Sequence, residues 1–307
     1  MISLIDRAAR RVREAQLRRA AAGILATPPI RGSDDGVILF SMIGTRVLLP
    51  YLVAVKSLHA RLGRGRVAIL DDGTLTEGDK ALLAEHCDNP PITRIAAVDT
   101  GPCQRGGTWE RLLTILDLRR AAYVIQLDSD TVTLGPVPEI TGAIAAGRSF
   151  TLRGGDDSAL LRLGDAAAYA RAHRDPGKDH MQWAIEAALG GVHIANRGPL
   201  NYVRGCSGFA GFAPSTEGRG LAEAFSAEAA RLIGPRWHEW GSEQVTSNFV
   251  IANAADPVLL PHHRYLNYWR QTIPGDAALV HFLGTNRYHA GLYAKAVQRV
   301  IGALRRG

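Results

Sequence analysis

The chain has 307 residues, 46% of them hydrophobic and 21% charged, with a formal net charge of +7, a composition that excludes wholesale disorder. Its longest near-apolar run, residues 47–55, contains Pro50 and is nine residues long, whereas a membrane-spanning helix needs roughly 18 or more. Three scattered cysteines, Cys87, Cys103 and Cys206, have no CxxC spacing; they support neither a disulfide framework nor a zinc ribbon, and a reducing cytoplasm is the expected setting.

Residues 1–24 predict a helix, with Ile5, Ala8, Val12 and Ala15 at three- and four-residue steps and arginines between them. They lack the apolar core and cleavage site of a signal peptide. Residues 1–20 hold six arginines against Asp6 and Glu14, giving +4, which leaves about +3 for the other 287. That remainder is too small for a nucleic-acid groove by charge alone. Two readings of the helix stay open. One is peripheral contact with an anionic membrane on its inner face; the other is a solvated helix packed on the domain by its alanine side. Residues 28–36 (PPIRGSDDG) form a turn-rich linker.

Strand–helix alternation begins at Val37. Residues 37–42 are a buried strand, and Pro50 suits the first turn of a helix that ends at Gly63. Residues 66–71 form a second strand, and Thr76 with Asp79 resembles a capping box for the next helix. Residues 92–98 read as a third strand, 109–118 as a helix and 121–127 as a fourth strand. Residues 154–200 are loops and helices of less regular pattern. Residues 205–213 are a glycine-rich strand, 221–233 and 242–252 are helices, and 279–283 is a last short strand. The alternation implies an α/β fold with a mainly parallel, Rossmann-like sheet and helices on both faces. We divide the chain into a basic helix and linker (1–35), a first half (36–135) and a second half (136–307).

Ligands in such sheets bind beyond the carboxyl ends of the strands, where Ser41, Ile43, Asp71, Asp72, Asp128 and Asp130 fall. The central segment is YVIQLDSDTVT, residues 123–133, in which an apolar strand ends in Asp128-Ser129-Asp130. Two carboxylates one residue apart at a strand end can share a divalent cation, and oxygen ligands suit Mg²⁺ or Mn²⁺. With 18 aspartates in the chain, roughly one such pair arises by chance, so position in the fold carries the signal. His281 ends an apolar run and precedes Gly284, where backbone can approach a ligand closely. A strand-end histidine hydrogen-bonded in the core is its other reading; were it to join the two carboxylates, its nitrogen would favour Mn²⁺.

These features resemble the GT-A glycosyltransferases, and glycosyltransferase family 8 in particular. The resemblance covers about residues 36–290. It rests on the Asp128-Ser129-Asp130 strand end, on Trp109-Glu110-Arg111-Leu112, on Gly241-Ser242-Glu243-Gln244 with Asn248, and on His281-Phe282-Leu283-Gly284-Thr285-Asn286-Arg287. It implies that Asp128, Asp130 and His281 ligate the metal. It also implies that Arg287, where the family has lysine, meets a diphosphate with Gly284 and Ser129 beside it, and that Arg111 faces the nucleotide. Gln244 then lies beneath the transferred sugar, with Glu243 next to it, and the anomeric configuration is retained. The donor implied is a nucleotide sugar, most simply a UDP-sugar. The acceptor is a glycan, lipid or protein, and no nucleic acid is involved. Asp71 and Asp72 are candidates for ribose or base contacts, and Ser41 and Ile43 for backbone contacts to a base edge; a capped turn before Thr76 is the alternative role for the two aspartates.

Three rivals remain open from sequence. LDSDTV also fits the nucleophile motif of haloacid-dehalogenase-type phosphatases, with Asp128 attacking phosphorus, but the acidic pair Asp156-Asp157 precedes Lys178, the reverse of the order that family needs. A sugar-binding module without turnover is the second. A nucleotidyltransferase is the third, and residues 41–46 (SMIGTR) match its Gly-rich loop poorly.

Overall fold

In chain order the elements are α1 (Leu4–Ala22), β1 (Val37–Ile43), α2 (Leu48–Leu62), β2 (Arg66–Asp71), α3 (Glu77–Cys87), β3 (Ile92–Arg94), α4 (Trp109–Leu118) and β4 (Tyr123–Leu127). There follow β5 (Thr131–Thr133), α5 (Pro138–Ala145), β6 (Phe150–Arg153), β7 (Leu160–Arg162), α6 (Leu163–His173), α7 (Met181–Ala188), β8 (Asn201–Val203) and β9 (Gly205–Phe212). The last are α8 (Gly220–Ile233), α9 (Ser242–Ala252), β10 (Val258–Leu259), β11 (Tyr265–Asn267), β12 (Leu279–His281) and α10 (Leu292–Leu304). This computed structural model describes residues 4–173, 177 and 180–306. Residues 1–3 of the predicted first helix, and Lys178, lie outside them. The chain divides into two compact units that alternate along the sequence. The first runs to Ile95 and resumes over Ile125–Thr141 and from Pro261 onward; the second holds Ala96–Val124 and Gly142–Leu260.

In the first unit the strand order is β4-β1-β2-β3. Strands β1 and β2 pair in parallel from Ile38 opposite Arg66 to Ile43 opposite Asp71, and β2 pairs in parallel with β3. Strand β1 is buried at every position except Met42, as a strand covered on both faces must be. Helix α2 carries Pro50 in its first turn and stops at Gly63, whose φ of 65° no β-branched or bulky residue adopts without strain. The predicted capping box forms: Thr76 and Asp79 each satisfy the other's backbone N–H at the start of α3. Helix α1 packs on α10 and α2, burying Leu17 and Ala21, with Ile24 just beyond its end. The chain after it is tied down by buried Lys56, whose ammonium meets Thr27 O, Thr27 Oγ1 and His86 Nδ1 at 3.0–3.2 Å; burial pushes that ammonium down to a pKa of about 8. A second, small sheet in this unit has the order β11-β12-β5.

In the second unit β10 pairs in parallel with β6, and β6 pairs antiparallel with β9. Phe150 lies opposite Gly211, and its ring occupies the space that a side chain at 211 would need. Strands β7 and β8 form an antiparallel pair. The helices pack through aromatic contacts: Phe225 stacks on Phe249 with centroids 4.0 Å apart, and Trp237 meets Trp109 and Phe225 edge-on. Trp237 is core, its indole N–H donating to Ser226 Oγ at 2.9 Å. Trp240 and Trp269 are 72% and 57% exposed.

The fold is α/β with a mainly parallel sheet, as the alternation predicts. Several boundaries move. The third strand ends at Arg94, and Ile95–Ala97 form a 3-10 turn. This edge segment is largely exposed and has no apolar face to keep it extended. The fourth strand starts at Tyr123 rather than Ala121, and the last ends at His281 rather than Leu283. Strands β5, β6, β7, β8, β10 and β11 were not predicted; at two to four residues they are too short to show a period of two.

Gly211→Ala should destabilise the protein by about 1–3 kcal/mol, because the new methyl overpacks the buried Phe150 ring. Urea unfolding measures it; a loss below about 0.5 kcal/mol would show that the β6–β9 pair yields freely.

Candidate active site

The Asp-Ser-Asp turn is built by its own backbone. Asp128 O accepts from Thr131 N and from Thr131 Oγ1, at 3.2 and 2.9 Å, which closes a tight turn between β4 and β5. Strand β5 then pairs antiparallel with β12, with His281 opposite Thr131. One step beyond that pair, Phe282 N donates to Asp130 O at 2.8 Å. A residue some 150 positions away in sequence is thereby fixed beside the aspartates.

The side chains converge. His281 Nε2 lies 3.2 Å from Asp130 Oδ1 and 3.9 Å from Asp128 Oδ2. On the other side of the ring, Nδ1 lies 3.0 Å from Asn267 Oδ1, and Asn267 is the parallel register partner of His281 on β11. The amide oxygen is placed to accept from Nδ1, which turns Nε2 toward the carboxylate side. Arg287 Nη2 donates to Asp130 Oδ2, and Arg287 Nε to Phe282 O at 3.2 Å. Burial alone would raise the Asp130 carboxyl, but the charges and hydrogen bonds of His281 and Arg287 hold it below the ordinary value. Asp128 is about one-third exposed, and Gln126 Nε2 donates to its Oδ1 at 2.8 Å.

Asp128, Asp130 and His281 each offer one ligand atom, and the three atoms lie within 4.8 Å of one another. The donor set fits a divalent cation: two carboxylate oxygens and one imidazole nitrogen whose far side is oriented by the Asn267 amide. Gly284, with φ of 54°, opens the turn that carries Arg287, and Tyr293 Oη donates to Ser129 O at 3.1 Å.

The other candidates of the first unit make local contacts. Ser41 is fully buried inside β1 and its hydroxyl donates to Leu127 O at 2.7 Å. Ile43 ends β1 opposite Asp71. Asp71 Oδ1 accepts from Gly73 N and Leu75 N, and Asp72 Oδ1 from Thr74 N and Oγ1. The observed contacts of both aspartates are those of the capped turn before Thr76.

A second constellation forms within the second unit. Arg111 Nη2 donates to Glu243 Oε2 at 2.9 Å and to Ser207 Oγ at 3.1 Å, all three side chains being buried. Gln244 Oε1 accepts from Ser207 N at 3.2 Å, while its Nε2 donates to Gln182 Oε1 at 3.4 Å. Gln182 Nε2 in turn donates to Glu186 Oε1 at 2.8 Å, and Tyr202 Oη donates to the same oxygen. A backbone N–H at one end and a carboxylate at the other fix the orientation of both amides. Burial pushes the Glu186 carboxyl up, against the Arg204 guanidinium beside it. Gln182 and Glu186 carry no sequence motif; only their one-turn spacing on α7 shows that they share a face.

No protein-family model matches the chain, and no curated protein matches its sequence. Solved structures do. The galactosyltransferase LgtC, in complex with donor and acceptor sugar analogues, aligns with a TM-score of 0.50 at 12% identity, over 87% of this chain and 95% of that one. The chain therefore has a GT-A glycosyltransferase fold. The WbbM bifunctional glycosyltransferase aligns at 0.48 and 10% identity over 91% of this chain, which spans about half (53%) of WbbM. Core-mannan synthase A from Aspergillus fumigatus, in its Mn/GDP form, aligns at 0.45 and 9% identity, over 92% of this chain and 88% of that one.

Two outcomes follow. Asn267→Leu should weaken Mn²⁺ binding by about 10–100-fold in titration calorimetry, since His281 loses its orienting acceptor; unchanged affinity would mean the imidazole is held by other contacts. Arg111→Met should cost about 3–5 kcal/mol because it strips the buried Glu243 carboxylate of its cation, and adding Glu243→Gln should recover a large part of that loss in the same unfolding assay.

Proposed function

We propose that this protein is a metal-dependent glycosyltransferase that moves a sugar from a nucleoside diphosphate donor, most simply UDP, to a glycan, lipid or protein acceptor. The observation that carries the reading is the convergence of Asp128, Asp130 and His281 at the end of β4, with Arg287 on Asp130. The GT-A fold adds support, since that fold places a nucleotide and its metal at the carboxyl ends of the strands.

Asp128, Asp130 and His281 would hold the ion, with Mn²⁺ preferred over Mg²⁺ by the nitrogen ligand. When bound, the cation supplies Lewis-acid stabilisation of charge on a leaving diphosphate, worth several kcal/mol of barrier. Asn267 keeps the His281 ring turned so that Nε2 faces the carboxylates. Arg287 presents a permanent cation beside the same carboxylate; its Nε and Nη2 are engaged within the protein, and the rest of its planar fork suits a phosphate.

Retention is the proposed stereochemistry. Inversion needs a carboxylate free to act as general base on the acceptor hydroxyl. Glu243, the carboxylate of the Gly241–Gln244 motif, is buried and paired with Arg111. Gln244 is a weak base, but its amide oxygen can stabilise positive charge on a sugar ring. Its orientation is set by Ser207 N and Gln182.

A panel of nucleotide sugars assayed with Mn²⁺ or with EDTA tests the reading. Turnover should require the metal, and Asp130→Asn and His281→Ala should each lower it by at least about 100-fold, with melting temperatures within a few degrees of the parent. Full activity in EDTA, or in either variant, would overturn the assignment. Proton NMR of the first-formed product should show the anomeric configuration of the donor, and Gln244→Ala should lose transfer while keeping donor affinity. An inverted product would discard the role given to Gln244.

A further inference from the structure

The net positive charge of this chain is confined to its two ends. Residues 1–22 carry six arginines against Asp6 and Glu14, and residues 292–307 carry Lys295, Arg299, Arg305 and Arg306 with no acidic residue. Each segment is therefore +4, and since the whole chain is +7, residues 23–291 together carry −1.

The fold brings the two ends into one surface. Helix α1 packs along α10, and the two run in the same direction. At one end Arg13 Nη1 donates to Tyr288 O at 3.3 Å; at the other Arg305 Nη2 donates to Gly23 O at 3.0 Å. Leu17 and Ala21 of α1, and Tyr293, Val297 and Ile301 of α10, are buried. Arg10, Arg11, Arg18, Arg19, Lys295, Arg299, Arg305 and Arg306 are all exposed. Among the described residues, one ion pair touches this set, Arg18 with Glu14 at 3.4 Å.

We propose that α1 and α10 form a single basic platform that adsorbs the protein to an anionic lipid bilayer. Like charges held close along two parallel helices repel one another, and the structure gives them almost no internal counter-charge; an anionic surface supplies it. The positions between the cations favour a bilayer over nucleic acid. They are Ala15, Gln16, Ala22 and Gln298, with Val12 and Leu25 57% and 39% exposed. No exposed aromatic stands on either helix to stack on a base. The apolar sides of both helices are already packed within the protein, so contact is electrostatic adsorption without helix insertion. It follows that α10 contributes as much as α1 and that salt releases the protein.

The test is sedimentation of the full chain with vesicles of phosphatidylcholine, with and without about one-third phosphatidylglycerol, at low and high salt. Removing residues 1–24 would uncover Tyr293, Val297 and Ile301, so exposed charges are neutralised instead. One variant is Arg11→Gln/Arg18→Gln/Arg19→Gln, the other Lys295→Gln/Arg299→Gln/Arg306→Gln. Each basic residue near an anionic surface contributes a factor of about five. Each triple variant should therefore bind at least about 30-fold more weakly, with unchanged melting temperature, and binding of the parent should vanish at about 0.5 M salt. Equal binding to neutral vesicles, binding insensitive to salt, or an α10 variant that binds like the parent would overturn the platform. Binding to duplex DNA without binding to anionic vesicles would overturn the bilayer in favour of nucleic acid.

Discussion

The antiparallel register of β5 with β12 is the constraint on which the candidate site depends. An aspartate pair at a strand end gains a third ligand only if another part of the chain is held there to within a fraction of an ångström. Backbone bonds do that here: His281 lies opposite Thr131, and Phe282 N donates to Asp130 O. A slip of one residue would turn the His281 side chain to the other face of the small sheet and replace an imidazole with Val280 or Phe282. The parallel partner β11 works the same way, since its register sets Asn267 beside His281. His281, its neighbour Phe282 and its orienting amide Asn267 are three consequences of one ladder.

The second unit solves a different problem. Its buried polar groups carry charge, and each must be satisfied where water is absent. Arg111 and Glu243 neutralise one another, with Ser207 accepting from the guanidinium. Glu186 is neutralised by Arg204, whose guanidinium also lies over the Trp183 ring at 3.8 Å. Gln244 and Gln182 link the Ser207 backbone to the Glu186 carboxylate. Such a chain of amides is stiff because both of its ends are chemically one-sided, a donor at Ser207 and an acceptor at Glu186.

Much of this was legible in the sequence, and the limits were physical. Residues 37–43 and 123–127 are apolar enough to be buried on both faces, so strands β1 and β4 could be seen, and Thr76-x-x-Asp79 announced a helix start. Asp128, Asp130 and His281 could be named as candidates because the carboxylates end a buried strand and their order with His281 and Gly284 resembles that of a known family. Asn267 could not be named: its role comes from register between two three-residue strands, which no periodicity reveals. Asp71, Asp72 and Ser41 show what position alone does not reveal: the two carboxylates serve the turn before Thr76, and the Ser41 hydroxyl serves Leu127 O.

The two aspartates of the site are not equivalent, and the difference follows from where the chain turns. Asp130 sits one residue before β5 and is buried; its backbone carbonyl is tied to Phe282 and its carboxylate faces His281 and Arg287. Asp128 sits at the open side of the turn, about one-third exposed, with Gln126 donating to one oxygen. Asp130 is thus set in place by the fold from several sides, whereas Asp128 faces the open side of the turn. Burial of Asp130 is tolerable because His281 and Arg287 both face its carboxylate, and since Arg287 is cationic at every accessible pH, the residue at position 287 stabilises the arrangement itself.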